Sequence, residues 1–260
     1  MGILNVTVDS FSDGGKFLPP EAAVAHALQM ANDGAGIIDI GGESTRPGAE
    51  PVTEETEMKR VLPVIEKLSS APFLISIDTS KAAVARAAVE RGACIINDVT
   101  GLQGDPAMID VVRETAAGVI IMHMQGTPGT MQQSPHYDDV VASVRDFFRQ
   151  SFTRAVDCGI DPMCIAFDPG IGFGKSVAHN LSLLNHLAEL RIEERPLVLG
   201  VSRKSFIGKI LGSDSPADRD SATAVLTGLM RERGANIIRV HDVQQNLQSL
   251  RITEALMEGV

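Results

Sequence analysis

The chain has 260 residues, a mass of 27.7 kDa and a formal charge of −10 from 33 acidic and 23 basic residues. That balance excludes broad attraction to nucleic acid or to an anionic membrane, while leaving room for a small basic pocket. Apolar residues make up 44%, with no Trp and one Tyr, so the core must be built from aliphatic side chains, Ala and Gly, as in parallel α/β folds. The three cysteines, Cys94, Cys158 and Cys164, are too few and wrongly spaced for a disulfide framework or a thiolate metal site. No apolar run is long enough to span a membrane and no secretory pattern opens the chain, so a cytoplasmic protein is expected.

In chain order, Gly2 to Val6 is a short apolar run, and the polar, glycine-marked stretch that follows predicts a loop. Pro19-Pro20-Glu21 starts a helix over residues 22–31, with Gly34 as its stop. A second strand is predicted over 37–40, then a loop over 41–48 and a helix over 53–68. Phe73 to Asp78 reads as a third strand, with Thr79 or Ser80 expected to cap the Ala-rich helix 82–91. Ile95 to Asp98 is a fourth strand, leading through Asp105-Pro106 to a helix ending at Ala116. Val119 to Met124 is a fifth, followed by a mobile loop rich in Gly, Pro, Thr and Gln. The longest helix, 139–158, carries Val140, Val141, Val144, Phe147, Phe148 and Phe152 at helical spacing; this stripe is expected to pack on the core, with a subunit contact as the alternative. Cys164 to Asp168 is a sixth strand, with a helix over 179–194. Leu197 to Ser202 is a seventh, with a helix over 217–233, and Ile237 to Asp242 an eighth, with a closing helix over 243–257.

The phrases Gly34-Ala35-Gly36-Ile37-Ile38, Gly92-Ala93-Cys94-Ile95-Ile96 and Gly234-Ala235-Asn236-Ile237-Ile238 repeat one device: a glycine that stops a helix, a small residue, then a strand. Eight strand-helix units with no compositional break predict an α/β fold in one domain over 1–260, a closed (β/α)8 TIM barrel. A doubly wound open sheet would share the alternation, but the Gly-x-Gly-x-x-Gly turn is missing after the first strand.

Polar residues interrupt these strands near their carboxyl ends: Asn5, Asp39, Asp78, Asn97 with Asp98, His123 after Met122, Asp168, Ser202 with Lys204, and Arg239 with His241. In a barrel those ends ring one mouth, which is where such folds keep their ligands. Asp78, Asn97 and Asp168 suit a flat, nitrogen-rich heterocycle, because carboxylates pair with adjacent ring N–H and amino groups. Arg239, His241, Asn5, Arg46 and Arg203 suit a phosphate or diphosphate, and Lys204 lies between the two sets. The structural alternatives are an Arg239 that pairs with an internal carboxylate, a solvent-facing Lys204, and aspartates that cap helices. No metal motif is present; a diphosphate-bound Mg2+ needs few protein oxygens, and Asn5 would suffice. Gly172-Phe173-Gly174-Lys175 is too short and loosely matched for a phosphate-binding loop.

The segments Asn5-Val6-Thr7-Val8-Asp9-Ser10-Phe11-Ser12-Asp13-Gly14-Gly15, 41–48, 75–80, 168–175, Ser202-Arg203-Lys204-Ser205 and Arg239-Val240-His241-Asp242 together resemble bacterial dihydropteroate synthase, in order and over nearly the whole chain. The resemblance implies a barrel, usually homodimeric, that joins 4-aminobenzoate to (7,8-dihydropterin-6-yl)methyl diphosphate with Mg2+ present. It assigns pterin binding to Asp78, Asn97, Met122, Asp168, Gly200 and Lys204, and diphosphate binding to Asn5, Thr45, Arg239 and His241. It assigns 4-aminobenzoate binding to Thr45, Pro47, Phe173, Lys204 and Ser205, and Mg2+ to Asn5. The residues it implies for catalysis are Asn5, Asp9, Arg46, Lys204, Arg239 and His241, with Asp9 and Arg46 ordering loops 5–17 and 41–51 over the substrates.

Two departures stand out. Val8 occupies a position at which the family commonly has Pro, which restores an N–H and frees φ, so a modest change in aminobenzoate or sulfonamide affinity is expected. Strand-like sequence also begins directly after Met1, whereas family members usually carry a short lead-in that covers the bottom of the barrel. The pterin-dependent methyltransferases share a carboxylate-lined pterin slot but need no diphosphate grip. A catalytically silent, ligand-binding barrel is the reading from a different class.

Overall fold

The computed structural model describes residues 1–7, 19–45, 48–127, 129–213, 215 and 217–259. Strand β1 (Gly2–Asn5) is followed by α1 (Pro20–Asn32), β2 (Ile37–Gly41), α2 (Glu54–Leu68), β3 (Leu74–Asp78), α3 (Ala82–Val89), β4 (Ile95–Asp98) and α4 (Met108–Thr115). The second half runs β5 (Gly118–Met122), α5 (Val140–Asp157), β6 (Ile165–Asp168), α6 (Val177–Asn185), β7 (Val198–Leu199), α7 (Ser205–Leu211), α8 (Asp220–Glu232), β8 (Ile237–Ile238) and α9 (Val243–Glu258). Strands β1 to β6 form a parallel sheet in sequential order, and β7 pairs with β8. Parallel bridges Phe167–Leu197 and Gly2–Val240 join the two sheets at both edges, so the eight strands close on themselves into the expected barrel. Among the described residues no helix is long and apolar enough to cross a membrane.

The aliphatic composition predicted from the sequence is what fills the space between strands and helices. Ile38, Ile40, Ile65, Leu68, Ile77, Ile96, Phe148 and Phe167 are among the fully buried side chains. The apolar stripe of α5 packs inward: Val140, Val141, Val144 and Phe148 are buried, and Phe147 and Phe152 lie against the same core. Gly34, Gly92 and Gly234 all adopt positive φ, so the repeated glycine device does stop its helices in the left-handed conformation that a side chain would strain.

Several element ends depart from expectation. Neither Thr79 nor Ser80 caps α3; the Ala82 N–H is instead accepted by Asp105 Oδ2 at 2.8 Å, a long-range cap supplied by the next loop. The expected helix 179–194 ends at Asn185 and gives way to a 3-10 turn at Leu187–Leu190. Helix α7 was not anticipated between the seventh strand and the helix over 217–233. Strands β7 and β8 are only two residues long, although beyond β8 the Arg239 and Val240 N–H groups still bond the carbonyls of Leu199 and Met1 at 2.9 and 3.0 Å.

Candidate active site

Strand register decides which side chains share the mouth. Asn5 pairs with Gly41, Gly41 with Asp78, and Asp78 with Asn97, so these positions stand at one level around the barrel. Met122 pairs with Asp168 on the far side. Asp39 and Ser76 pair with each other two residues below that level, on the same face.

Arg239 occupies the centre of this arrangement. Its Nε donates to Asp39 Oδ2 at 2.5 Å and its Nη2 to Asp78 Oδ2 at 2.7 Å. Asn97 Nδ2 donates to the same Asp39 oxygen at 3.0 Å. The reading of Arg239 as an internal ion-pair partner is therefore realised, with Nη1 left over from both bonds. Burial raises the Asp78 carboxyl to about 7; Arg239 pulls it down, and Asp39, Glu57 and Asp98 push it up again.

Across the mouth, Asp168 is buried, with Oδ1 accepting from the Gly170 N–H at 2.7 Å. Burial raises its carboxyl above the ordinary range, opposed by that N–H and by the Lys204 and Arg239 charges. Burial lowers the Lys204 ammonium to about 8, while Asp168 raises it. Its Nζ stands 3.9 Å above the centre of the Phe173 ring, a cation–π contact, so Lys204 points into the site and not to solvent. Phe173, Met122, Val99 and Met131 form a small apolar cluster of their own beside it.

His241 Nδ1 lies 2.9 Å from Ser202 Oγ, which also accepts the His241 N–H at 3.2 Å. Burial, then the Arg203 and Arg239 charges, lowers the imidazole to about 3, so the ring is neutral at pH 7. Ser202 itself is buried. Arg203 does not join the anion set: its guanidinium is held by both oxygens of Asp220, at 2.7 and 2.9 Å. Its left-handed φ is what lets Ser202 and Lys204, on either side, both face the mouth.

Asn5 and Thr45 are half-buried on the β1 and β2 side, Gly200 is half-buried after β7, and Ser205 is exposed at the start of α7. Val8, Asp9, Arg46 and Pro47 lie outside the described residues, as does most of the loop 5–17. Two of the polar strand ends serve the loops. Asp98 Oδ1 accepts from the Thr100 N–H and hydroxyl, and its Oδ2 from the Leu102 N–H, which shapes the turn after β4. His123 Nδ1 meets Lys175 Nζ at 3.0 Å, and its ring packs edge-on against Phe147.

Lys175, set aside in the sequence as part of a failed phosphate loop, is almost fully buried. Its Nζ donates to the carbonyls of Gly170, Phe173 and His123 at 3.0, 2.9 and 3.2 Å. The loop 169–174 is wrapped around that nitrogen. Gly170 can have no side chain here, since a Cβ would stand 1.9 Å from the His123 carbonyl oxygen. The only sequence signal for this pin was a lysine following three alternate glycines.

Fold and site together define a barrel enzyme with a carboxylate-and-amide slot beside a cationic and imidazole-bearing corner. A sequence profile of the family described as "Pterin binding enzyme" matches residues 1–241. The dihydropteroate synthase of Escherichia coli (strain K12) is 47% identical over 260 residues, covering 100% of this chain and 92% of that protein. A Yersinia pestis dihydropteroate synthase crystallised with a sulfonamide drug superposes with a TM-score of 0.94 at 45% identity, covering 99% of this chain and 93% of the other. A Xanthomonas albilineans dihydropteroate synthase with 4-aminobenzoic acid gives 0.92 at 46% identity, covering 98% and 92%. The chain belongs to the pterin-binding enzyme family, among the bacterial dihydropteroate synthases.

Proposed function

We propose that the polar ring at the carboxyl end of this barrel is where (7,8-dihydropterin-6-yl)methyl diphosphate and 4-aminobenzoate condense to 7,8-dihydropteroate and diphosphate. The observation that carries the assignment of roles is the division of the mouth into two chemical halves. Asp78, Asn97 and Asp168 form a buried acceptor set bordered by Met122, Gly200 and Lys204, and the pterin is bound there. Asn5, Thr45, Arg239 and His241 form the neighbouring corner that receives the diphosphate. Phe173, Lys204 and Ser205, with Thr45 and Pro47, receive 4-aminobenzoate, whose ring suits the Phe173 face beside Lys204.

The reaction then runs as a dissociative substitution at the pterin methylene. The bond to diphosphate breaks first. Negative charge develops on the departing oxygen, and the Arg239 guanidinium and the neutral His241 ring act there as preorganised donors. When the Ser202 hydroxyl donates a hydrogen bond to His241 Nδ1, the one proton of the neutral ring sits on Nε2 and is available to a phosphate oxygen. The cation left on the pterin is favoured by the Asp78 and Asp168 carboxylates. The neutral arylamine then attacks the methylene carbon, and the proton its nitrogen sheds passes to solvent or to the released diphosphate, so no strong general base is needed. Asp9 and Arg46 are assigned to ordering the loops over the substrates.

The donor set also fits Mg2+. Asn5 offers one amide oxygen at the diphosphate corner, and no cluster of three or more His, Cys, Asp or Glu exists among the described residues. A hard cation that keeps its waters and binds mainly through diphosphate asks for no more than that. Bound there, Mg2+ would neutralise charge on the leaving group. A homodimer and a cytoplasmic setting complete the reading. The dimer is supported by apolar residues exposed on α8 and α9, and the setting by three free cysteines suited to a reducing compartment.

The test is diphosphate release and product mass for the purified chain given the dihydropterin diphosphate and Mg2+, with and without 4-aminobenzoate. Aminobenzoate-dependent formation of dihydropteroate is expected; tight substrate binding with no product would sink the proposal. Because Asp78 must be ionised to accept from the pterin, kcat/KM for the pterin substrate should fall as pH drops through about 7, the value to which burial raises that carboxyl.

A further inference from the structure

Asp39, expected from the sequence near the carboxyl end of its strand, lies instead in the middle of it, and neither the sequence nor the reaction gives it a role. It has no exposed surface, sits mid-way along β2, and lies two residues below the level of Gly41, Asp78 and Asn97. No substrate at the mouth can reach it. Yet its Oδ2 accepts from both Arg239 Nε and Asn97 Nδ2, at 2.5 and 3.0 Å, and so ties the diphosphate corner to the pterin slot through one atom.

We infer that Asp39 is a positioning residue of the synthase, which from beneath the mouth sets the guanidinium of Arg239 and the amide of Asn97 in the orientations in which they meet diphosphate and pterin. The inference rests on the roles proposed above for Arg239 and Asn97. A guanidinium is planar, and two anchors on different nitrogens fix the plane: Asp39 takes Nε and Asp78 takes Nη2, which leaves Nη1 for an incoming anion. An amide can present either its oxygen or its nitrogen. By taking Nδ2, Asp39 turns the Asn97 oxygen to the other side, as an acceptor for ring N–H groups. Because Asp39 and Asp78 share one guanidinium, Asp39 also sets how strongly Arg239 holds Asp78.

The geometry explains why the position is a carboxylate. A neutral amide oxygen could also accept from two donors, but it brings no charge to set against a guanidinium held in a buried layer, as a carboxylate does. It also explains why the ion pair sits below the substrate level. Placed higher, the carboxylate would face the diphosphate and repel it.

The experiment compares the 260-residue chain with Asp39→Asn, which keeps the shape and removes the charge. Thermal melting serves as a folding control, steady-state kinetics are measured for each substrate, and a pH profile is taken. For Asp39→Asn, kcat/KM for the dihydropterin diphosphate should fall roughly 10- to 100-fold, the range for loss of a hydrogen bond to a charged group. KM for 4-aminobenzoate should stay within about threefold of the parent value, since Asp39 touches none of the aminobenzoate residues.

The acid limb should move to lower pH. Asp78 is faced by Arg239, Asp39, Glu57, Asp98 and Lys204, and neutralising Asp39 removes a repulsion and leaves Arg239 wholly to Asp78. A residue that only supported the fold would lower the melting temperature without moving that limb. Should Asp39→Asn fail to fold, Asp39→Glu keeps the charge but displaces it by one methylene. It should raise KM for the pterin substrate, leaving KM for 4-aminobenzoate within about threefold.

Parent-like pterin kinetics with an unmoved acid limb in Asp39→Asn, or parent-like pterin kinetics in Asp39→Glu, would overturn the inference while leaving the synthase activity standing. A parent chain that makes no dihydropteroate would instead overturn the functional reading on which it depends.

Discussion

Lys175 marks the difference between a charged residue that binds substrate and one that builds the site. Its Nζ reaches three carbonyl oxygens and the His123 ring, and those carbonyls belong to the loop that presents Phe173 and to the end of β5. Replacing it with Met keeps the bulk but strands buried acceptors, which costs about 1–3 kcal/mol for each one left unsatisfied. Lys175→Met should therefore shift the urea midpoint down with an unchanged slope, by a loss on the order of 3 kcal/mol, and raise KM for 4-aminobenzoate more than KM for the pterin substrate. Parent-like stability would mean the carbonyls find other donors. The sequence could place Asp98, His123 and Asp168 together, because all three follow an apolar strand. It singled out Asp168 for the ligand, and the physical difference lies in the next few backbone N–H groups, which are not legible in sequence: Thr100 and Leu102 claim both oxygens of Asp98, whereas Asp168 gives only Oδ1 to Gly170.

At the scale of elements, the loop after β2 is fastened at its root by a buried charge network. Glu57 of α2 has no exposed surface, and its Oε2 accepts from Lys81 at 2.6 Å; Lys81 also bonds Glu43, and Arg60 donates to the Gly42 carbonyl at 2.7 Å. Burial works against the Lys81 charge, but the hydrogen bonds to Glu43 and Glu57 prevail and hold its ammonium above the ordinary value. Thr45 lies just beyond this clamp. Lys81→Met would leave Glu57 buried without its cation, a loss of about 3–5 kcal/mol, whereas Lys81→Met with Glu57→Leu removes both charges and should recover part of that loss. Denaturation of the parent and both variants checks this; a double variant no more stable than the single one would show that unpaired Glu57 is not what destabilises Lys81→Met. Such a clamp was not legible in the sequence, since Glu57 sits on a helix whose acidic first turn reads as solvated surface. The eight strands, by contrast, were legible, because their aliphatic runs and glycine stops are local signals. The shortness of β7 and β8 was not, because their aliphatic runs read the same as those of the longer strands.

On the scale of the whole molecule, the described residues leave large apolar side chains exposed at several places, α8 and α9 among them. The α5 stripe is spent on the core, so it is not what a second subunit would meet. Helices α8 and α9 pack on each other through Gly228 against Thr253 and Ser249, and through the Arg231–Glu254 ion pair at 2.9 Å. Their outer faces expose Val225 and Leu229 at helical spacing on one, and Ile252 and Leu256 on the other; Leu256 is 79% exposed. Large apolar residues exposed on two helices that pack together point to an interaction surface, and a closed two-fold contact is the commonest way to cover one. The parent chain should therefore elute at twice 27.7 kDa at micromolar concentration. Leu229→Arg with Ile252→Arg should elute at 27.7 kDa, because two cations on each copy would have to be desolvated unpaired. Neither residue belongs to the mouth, so kcat for the double variant should remain within about twofold of the parent at saturating substrate. Light scattering on the eluting peaks decides the matter: a parent chain that is monomeric under these conditions would remove the dimer from the reading, and a double variant that is still dimeric would move the contact to another face.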